Sequence, residues 1–435
     1  MWSKYKNLGA HWKILLALLL AVFAGYLTGK DAAILGVSFN QIFAFIGALF
    51  LQALKMLIVP LVFSSIIVGV AGLGSGPEIG RLGGKTLIFY LLSSLLAIIV
   101  GLMVVNYVEP GIIDGEAAKD KIGLQVETSS FSEKVEGRGA GDIVDVFLRM
   151  IPTNIVAAAA DGQMLGLIFF SLLFGYFMSG ISTDHAITQK HFWNGIFETM
   201  MKITDLVMRF APLGVFGLVA KVVSDIDPAG NPEKFFNLIE TLGMFALSVF
   251  AALLIHMLIT LPLILKYVAG VSNPYRHHKA MSPALLTAFS TASSSATLPV
   301  TMECVEKNAG VSNKTSSFVL PLGATINMDG TALYECVAAI FIAQAYGLDL
   351  SFAQQFTIVL VALLTSIGVA GIPSASLVAI TIILAAIGLP MEAVGLIIAV
   401  DRVLDMCRTS VNIFSDSVAA VVIGKLQGEK NILKH

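Results

Sequence analysis

Hydrophobic positions run through this chain in blocks rather than in alternation, and a helical block of about 20 apolar residues is long enough to cross a bilayer. Candidate spans lie near 12–29, 38–70, 86–108, 144–180, 193–222 and 236–265. Several exceed the minimum, which implies tilt, a break or extension beyond the bilayer. The polar intervals set a topology, because short cytoplasmic loops carry an excess of Lys and Arg. With the N-terminus inside, the segment from Arg81 to Lys85 and YRHHK from Tyr275 to Lys279 both fall inside. The stretch from about Glu109 to Gly141, rich in Glu and Asp, and SDIDPAGNPEK near Asp225 then fall outside. Every alternation agrees, so a multi-pass protein of the plasma (inner) membrane with both termini cytoplasmic is expected.

Beyond residue 280 the blocks change character. The apolar run from Ala280 to about Glu306 is interrupted at its middle by TASSSATLP, and the run from about Phe352 to Leu389 by GVAGIPSAS. Arms of about ten to fifteen residues are too short to cross alone, and joined by small, polar or Gly/Pro tips they read as re-entrant hairpins. These are hairpin 1 (280–306) and hairpin 2 (352–389). Each precedes a long helix with an intramembrane polar cluster. The first carries NMDGT, Asn327 to Thr331; the second, from about Val394 to Gly424, carries Asp401, Arg402, Asp405, Arg408 and Asp416. The interval from Ser294 to Asp329 equals that from Pro373 to Arg408, 35 positions. Interrupted segments in corresponding places of two halves point to a transport site built on inverted repeats.

Composition agrees: of 435 residues, 56% are hydrophobic and 13% charged, about half the usual charged share. The expected fold is all-α and polytopic, and a net charge of -2 gives no reason to expect a nucleic-acid partner. Cys304, Cys336 and Cys407 lack metal-site spacing and read as packing residues. The N-terminus, basic at Lys4, Lys6 and Lys13, imitates a signal peptide. Without a small-residue cleavage site before the polar turn near Lys30, a retained first span is expected.

A charge at mid-bilayer costs roughly 2.5 to 3.5 kcal/mol on insertion scales, so such residues usually face a polar cavity. At about 100° per residue, Asp401, Asp405, Arg408, Asn412 and Asp416 share one helical sector, which Thr409 borders and Arg402 just misses. A guanidinium binds a carboxylate through two parallel hydrogen bonds, and a nearby aspartate suits an ammonium group. Arg408 with Asp405 therefore points to an acidic amino acid. The plain alternative is an internal salt bridge that only orders the helix. Asp329 and Asn327 in an unwound turn, like Asn412 and Asp416, offer hard oxygen ligands for an alkali cation, and Thr331 can meet a substrate group. The hydroxyls and free N–H groups of Ser293 to Ser295 at a hairpin tip suit a substrate carboxylate.

NMDGT, SSSATLPVT, AGIP and DRVLDMCRTSVN, in that arrangement, resemble the glutamate transporter family, the dicarboxylate/amino acid:cation symporters. The likeness covers most of the chain and is strongest from about Ser282 to Val422. It implies eight transmembrane helices plus two re-entrant hairpins as inverted repeats, a homotrimer, and an elevator in which a transport domain moves against a scaffold. The scaffold would comprise mainly 1–80 and 144–230, and the transport domain 86–108, 236–265 and 280–424. The resemblance makes Arg408 the partner of the substrate side-chain carboxylate and Asp405 that of its amino group. Ser293, Ser294, Met328, Thr331, Ile372, Thr409 and Asn412 complete the substrate shell. One implied sodium site is Asp416, Asn412, Asn327 and Gly323; another is Tyr90, Ser93, Ser94, Asn327 and Asp329. A third uses backbone oxygens around Thr325, Met328, Ser366 and Ile367. Sodium is then a co-transported ligand, and no cofactor is expected.

The sequence departs from the family at several points. An arginine of archaeal members falls on Ala292, and the excitatory transporters' equivalent falls on Met406, leaving Arg402 and Asp401 without an assigned role. Ser374 and Ser376 replace residues commonly glycine or glutamine and glycine in the second tip. Glu335 matches a position linked to proton or potassium coupling. A channel would need a continuous polar lining, and an intramembrane protease would need paired carboxylates or a serine with a base. The hairpins favour a carrier, not an enzyme. Proton coupling and a C4-dicarboxylate substrate are the alternatives within the family, although Asp405 would repel a second carboxylate.

Overall fold

The computed structural model describes residues 10–30, 32–34, 36–71, 77–122, 148, 150–161, 163–226, 231–366, 375–430, 432 and 433. Among these the chain is overwhelmingly helical. The strands are two short antiparallel pairs, Ala33–Ile34 with Val37–Ser38 and Ile112–Ile113 with Glu116–Ala117. Helices α1 (Ala10–Thr28), α2 (Phe39–Ala71) and α3 (Pro77–Val108) follow the first three expected spans, and a short α4 (Ala118–Ile122) comes after them.

Two of the over-long candidate blocks are broken, one of the outcomes that their length implies. The block 144–180 is not one helix: α5 (Ile155–Ala160) and α6 (Met164–Met178) are separate. Asn154 starts α5 as an N-cap, accepting the N–H groups of Val156 and Ala157 at 2.9 and 3.1 Å, and α5 ends at its C-cap Asp161, before α6 begins at Met164. The block 193–222 is two helices, α7 (Thr183–Arg209) and α8 (Ala211–Ile226), bent by 55°. Pro212, having no N–H, cannot continue the hydrogen-bond ladder of α7. Glycine then lets α8 sit close on α1 and α2. A Cβ on Gly217 would lie 2.7 Å from the Gly47 backbone nitrogen, and one on Gly25 the same distance from the Ala220 carbonyl, as small-residue packing in membranes requires.

Helix α9 (Pro232–Ile255) runs through a π turn, His256–Thr260, into α10 (Leu261–Tyr267), within one apolar stretch of 36 residues. Hairpin 1 is α11 (Tyr275–Thr291) and α12 (Ser294–Glu303), ending in a second π turn at Cys304–Asn308. Its tip turns at Ala292, whose φ of 49° is left-handed, and Ser293 caps α12 by accepting the Ala296 N–H. Next come α13 (Asn313–Ile326) and α14 (Asp329–Ala345), broken at Asn327 and Met328, as the NMDGT pattern predicts. Hairpin 2 has arms α15 (Phe352–Ser366) and α16 (Ala375–Ile387). Its tip, with Ile367, Ile372, Pro373 and Ser374, lies outside the described residues. The final helix, α17 (Ile398–Leu426), starts later than Val394 because the chain first winds as a 3-10 turn, Met391–Leu396.

By length and composition, four helical stretches among the described residues can each cross a membrane: Leu82–Val108, Pro232–Tyr267, Asn313–Ala345 and Ile398–Leu426. The bent pair α7 and α8 makes a fifth. Asn313–Ala345 lies at the centre, its most apolar window wholly buried, with Phe341 stacked on Phe245 at 4.4 Å.

Past α17 the chain folds back on the junction after hairpin 1. Glu429 accepts the N–H and hydroxyl of Ser312 at 2.8 and 2.6 Å and the Thr315 hydroxyl at 2.6 Å, while the Leu433 N–H reaches the Ala309 carbonyl. Burial pushes the Glu429 carboxyl up, but these hydrogen bonds outweigh it and hold its pKa below the ordinary glutamate value. A lowered folded pKa contributes stability above the unfolded value, about 4.3, that is lost as pH falls through the folded value. Glu429→Gln is therefore expected to lower the melting temperature of the detergent-solubilised protein at pH 7, with the difference from wild type shrinking below about pH 4. A pH-independent difference would show that the carboxylate charge is not what holds the clip.

Candidate functional site

The break in α13–α14 lies against the middle of α17, and both elements are shaped for the contact. A Cβ on Gly330 would come 2.5 Å from the Arg408 carbonyl, so the backbones can approach there only without a side chain. Asn412 serves the exposed start of α14, whose first N–H groups have no partner within the helix. Its Oδ1 accepts the N–H groups of Gly330 and Thr331 at 2.8 and 3.2 Å, and its Nδ2 donates to the Thr331 hydroxyl at 3.0 Å. Asn412 thereby ties the two halves together.

Asp329 is fully buried and gathers donors from three elements. Ser94 and Ser93 of α3 donate to Oδ1 at 2.6 and 3.2 Å, Ser415 of α17 donates to Oδ2 at 2.6 Å, and His256 Nε2 lies 3.0 Å from Oδ2. Asn327 donates to Ser415 at 3.0 Å and to Asp416 at 2.9 Å, while its own carbonyl oxygen accepts from Ser93 at 3.3 Å. Gly323 is needed beside this pair, because a Cβ would collide with the Asp416 carboxylate and lie 2.9 Å from the Tyr90 hydroxyl. Tyr90 itself donates to the Val319 carbonyl at 2.7 Å, and not to Asn327 or Asp329. The result is a buried cluster of carboxylate, amide and hydroxyl oxygens, hard donors of the kind alkali cations take.

One turn and more towards the start of α17 lies a second cluster. Arg408 donates Nε and Nη2 to Asp405 Oδ1 at 3.0 and 2.8 Å and Nη1 to Asp401 Oδ1 at 3.2 Å. Its guanidinium also lies 4.6 Å over the Tyr334 ring, and the Tyr334 hydroxyl donates to Asp401 at 2.9 Å. Arg402 donates Nη1 to Asp405 Oδ2 at 3.0 Å. All four charged residues are at most 5% exposed. The two residues left without a role by sequence are thus members of the cluster, and the internal pairing weighed there as the plain alternative is present in the structure. An arginine fork already engaged by carboxylates can exchange one of them for a carboxylate brought by a ligand.

The other sequence-assigned residues fall around these clusters. Met328 and Ser294 are buried, Thr409 is buried with its hydroxyl on the Asp405 carbonyl at 2.7 Å, and Ser293 is half-buried at the hairpin tip. Ser366 is buried and donates to the Leu363 carbonyl, whereas the Thr325 side chain is exposed and donates to Leu322. Glu335 accepts the Thr365 hydroxyl at 2.9 Å with one oxygen, and its other oxygen has no partner among the described residues.

Sequence reasoning missed His256, Ser415 and Tyr334. Ser415 and Tyr334 sit in apolar helices where hydroxyls are ordinary packing groups. A usable signal existed for His256, the one titratable residue between Glu240 and Lys266; the π turn that aims it at Asp329 left no trace in the pattern.

Residues 10–426 match the sodium:dicarboxylate symporter family model. The chain is 35% identical to the proton/sodium-glutamate symport protein of Bacillus caldotenax, over 98% of this chain and 96% of that protein. It is 36% identical to the proton/glutamate-aspartate symporter of Escherichia coli (strain K12), over 95% and 92%. Excitatory amino acid transporter 3 of Mus musculus is 35% identical over 98% and 87%.

Proposed function

The chain belongs to the sodium:dicarboxylate symporter family and is a membrane transporter, not an enzyme; from that premise we propose that it takes up glutamate or aspartate together with sodium ions. The observation that carries this reading is the presence on one helix, α17, of two buried clusters of different chemistry, with Asn412 between Arg408 and Asp416 tying that helix to the start of α14. In the guanidinium cluster, the side-chain carboxylate of the substrate takes the Arg408 fork and so frees Asp405 Oδ1 for the ammonium group. Thr331, Thr409, Asn412, Met328, Ile372 and the Ser293–Ser294 tip surround the remainder of the substrate. In the oxygen cluster, sodium ions use Asp329, Ser93, Ser94, Asn327 and Tyr90, and Asp416, Asn412, Asn327 and Gly323. A third ion uses backbone oxygens near Thr325, Met328, Ser366 and Ile367. Tyr90 has to leave Val319 to become a ligand.

Eight transmembrane helices and two hairpins then work as an elevator, with 86–108, 236–265 and 280–424 moving against a scaffold of mainly 1–80 and 144–230. The assembly is a homotrimer in the plasma membrane with cytoplasmic termini, and the hairpins are its inner and outer gates. Proton coupling is the second reading. It is favoured by Glu335, a buried carboxyl with one oxygen unpartnered among the described residues, where a carried proton can reside.

Counterflow distinguishes a carrier from a pore. Proteoliposomes preloaded with unlabelled aspartate are expected to accumulate labelled aspartate transiently above equilibrium without any ion gradient. Equilibration without overshoot would mean a channel-like path.

A further inference from the structure

Asp405 is held from two sides, and only one of its partners is explained by the substrate reading. Arg408 occupies Oδ1, while Arg402, one turn earlier on the same helix, occupies Oδ2 at 3.0 Å. Arg402 is 5% exposed, and its Nε has no hydrogen-bond partner among the described residues. A buried guanidinium with an unsatisfied donor carries a desolvation cost, and an apolar residue at this position would fit an otherwise lipid-soluble helix better. Its presence calls for a role beyond filling space.

Charge supplies that role. Asp401, Arg402, Asp405 and Arg408 together are neutral; without Arg402 the cluster is left with one uncompensated negative charge. A ligand with two carboxylates and one ammonium group carries net charge −1, and one with two carboxylates alone carries −2. The excess negative charge left by losing Arg402 therefore weighs about twice as heavily on the second ligand. We propose that Arg402 is a specificity-determining residue that acts through Asp405. By neutralising its Oδ2 side, Arg402 lowers the site's dependence on a substrate ammonium group and sets the ratio of acidic amino acid to plain C4-dicarboxylate binding. This rests on Asp405 and Arg408 being the substrate clamp, and it removes the repulsion that an isolated Asp405 would exert on a second carboxylate.

The test is labelled aspartate uptake into proteoliposomes, with succinate as competitor, for wild type, Arg402→Gln and Arg402→Lys. Succinate is expected to inhibit the wild type. Arg402→Gln should raise the succinate inhibition constant at least about tenfold more than it raises the aspartate KM, since a unit charge several ångströms away at an effective dielectric near 20 has that weight. Arg402→Lys keeps the charge and should keep the ratio within about threefold of wild type. A purely structural arginine would instead change both constants by one common factor, and that result overturns the inference. So does wild-type uptake that succinate leaves untouched, a result that also stands if the Gln variant does not assemble. A wild type that takes up no aspartate would overturn the substrate reading itself and the inference with it.

Discussion

Arg408→Ala is expected to reduce uptake of acidic substrates about a hundred- to several-thousandfold in kcat/KM, because removing one partner of a buried, hydrogen-bonded charge pair costs about 3–5 kcal/mol and each 1.4 kcal/mol is tenfold. The geometry makes the loss specific. Arg408 is the shared partner of Asp401 and Asp405, so its removal leaves a surplus of buried negative charge where a carboxylate has to bind. Helix α17 itself has reasons to persist, since Asp401 keeps the Tyr334 hydroxyl and Asp405 keeps Arg402. The hydrogen bonds of Asp329 among the described residues run to Ser93, Ser94, Ser415 and His256, and not to Arg408. Sodium-dependent thermal stabilisation should accordingly survive in the variant. Arg408→Lys should recover only part of the uptake, because an ammonium cannot reproduce the two-pronged contact. Aspartate transport unaltered by Arg408→Ala would remove this residue from the site.

Asp329→Asn is expected to have the second-largest effect, and of the opposite kind. The carboxylate accepts hydroxyls from Ser93, Ser94 and Ser415 and faces His256. An amide of the same shape turns an NH2 group towards some of these donors and removes the negative charge on which the proposed sodium site depends. The sodium concentration for half-maximal uptake should rise about a hundredfold, in keeping with the few kcal/mol attached to a buried charge-assisted network. The guanidinium cluster remains assembled, so aspartate should still inhibit at saturating sodium. A sodium titration matching wild type would exclude Asp329 as a cation ligand.

Much of this site is legible in the sequence because its signals are interruptions. A serine tip inside an apolar run and a glycine and three polar residues inside NMDGT mark broken helices directly, and the breaks at Ala292–Ser293 and Asn327–Met328 fall where the pattern predicts. Charges in α17 stand out against lipid-soluble neighbours for the same reason. Continuity of apolar helix is harder to read. Lipid-facing and protein-facing positions are both apolar in a membrane, so the length of the blocks 144–180 and 193–222 allows a break but does not place it between Ala160 and Met164 or between Arg209 and Ala211. Partner choice is harder still. Helical sectors place Arg402 just outside the stripe, yet its long side chain reaches Asp405 three positions on, and Tyr90 turns to Val319 rather than to the aspartate. These depend on side-chain rotamers that spacing does not encode.

The most direct test of acidic amino-acid transport coupled to sodium is uptake of labelled aspartate, glutamate and succinate into proteoliposomes, with sodium and pH gradients imposed one at a time. An inward sodium gradient at equal pH is expected to drive aspartate or glutamate accumulation, and a pH gradient without sodium is not. Accumulation driven by the pH gradient and indifferent to sodium would contradict the assignment of the Asp329 and Asp416 oxygens to sodium.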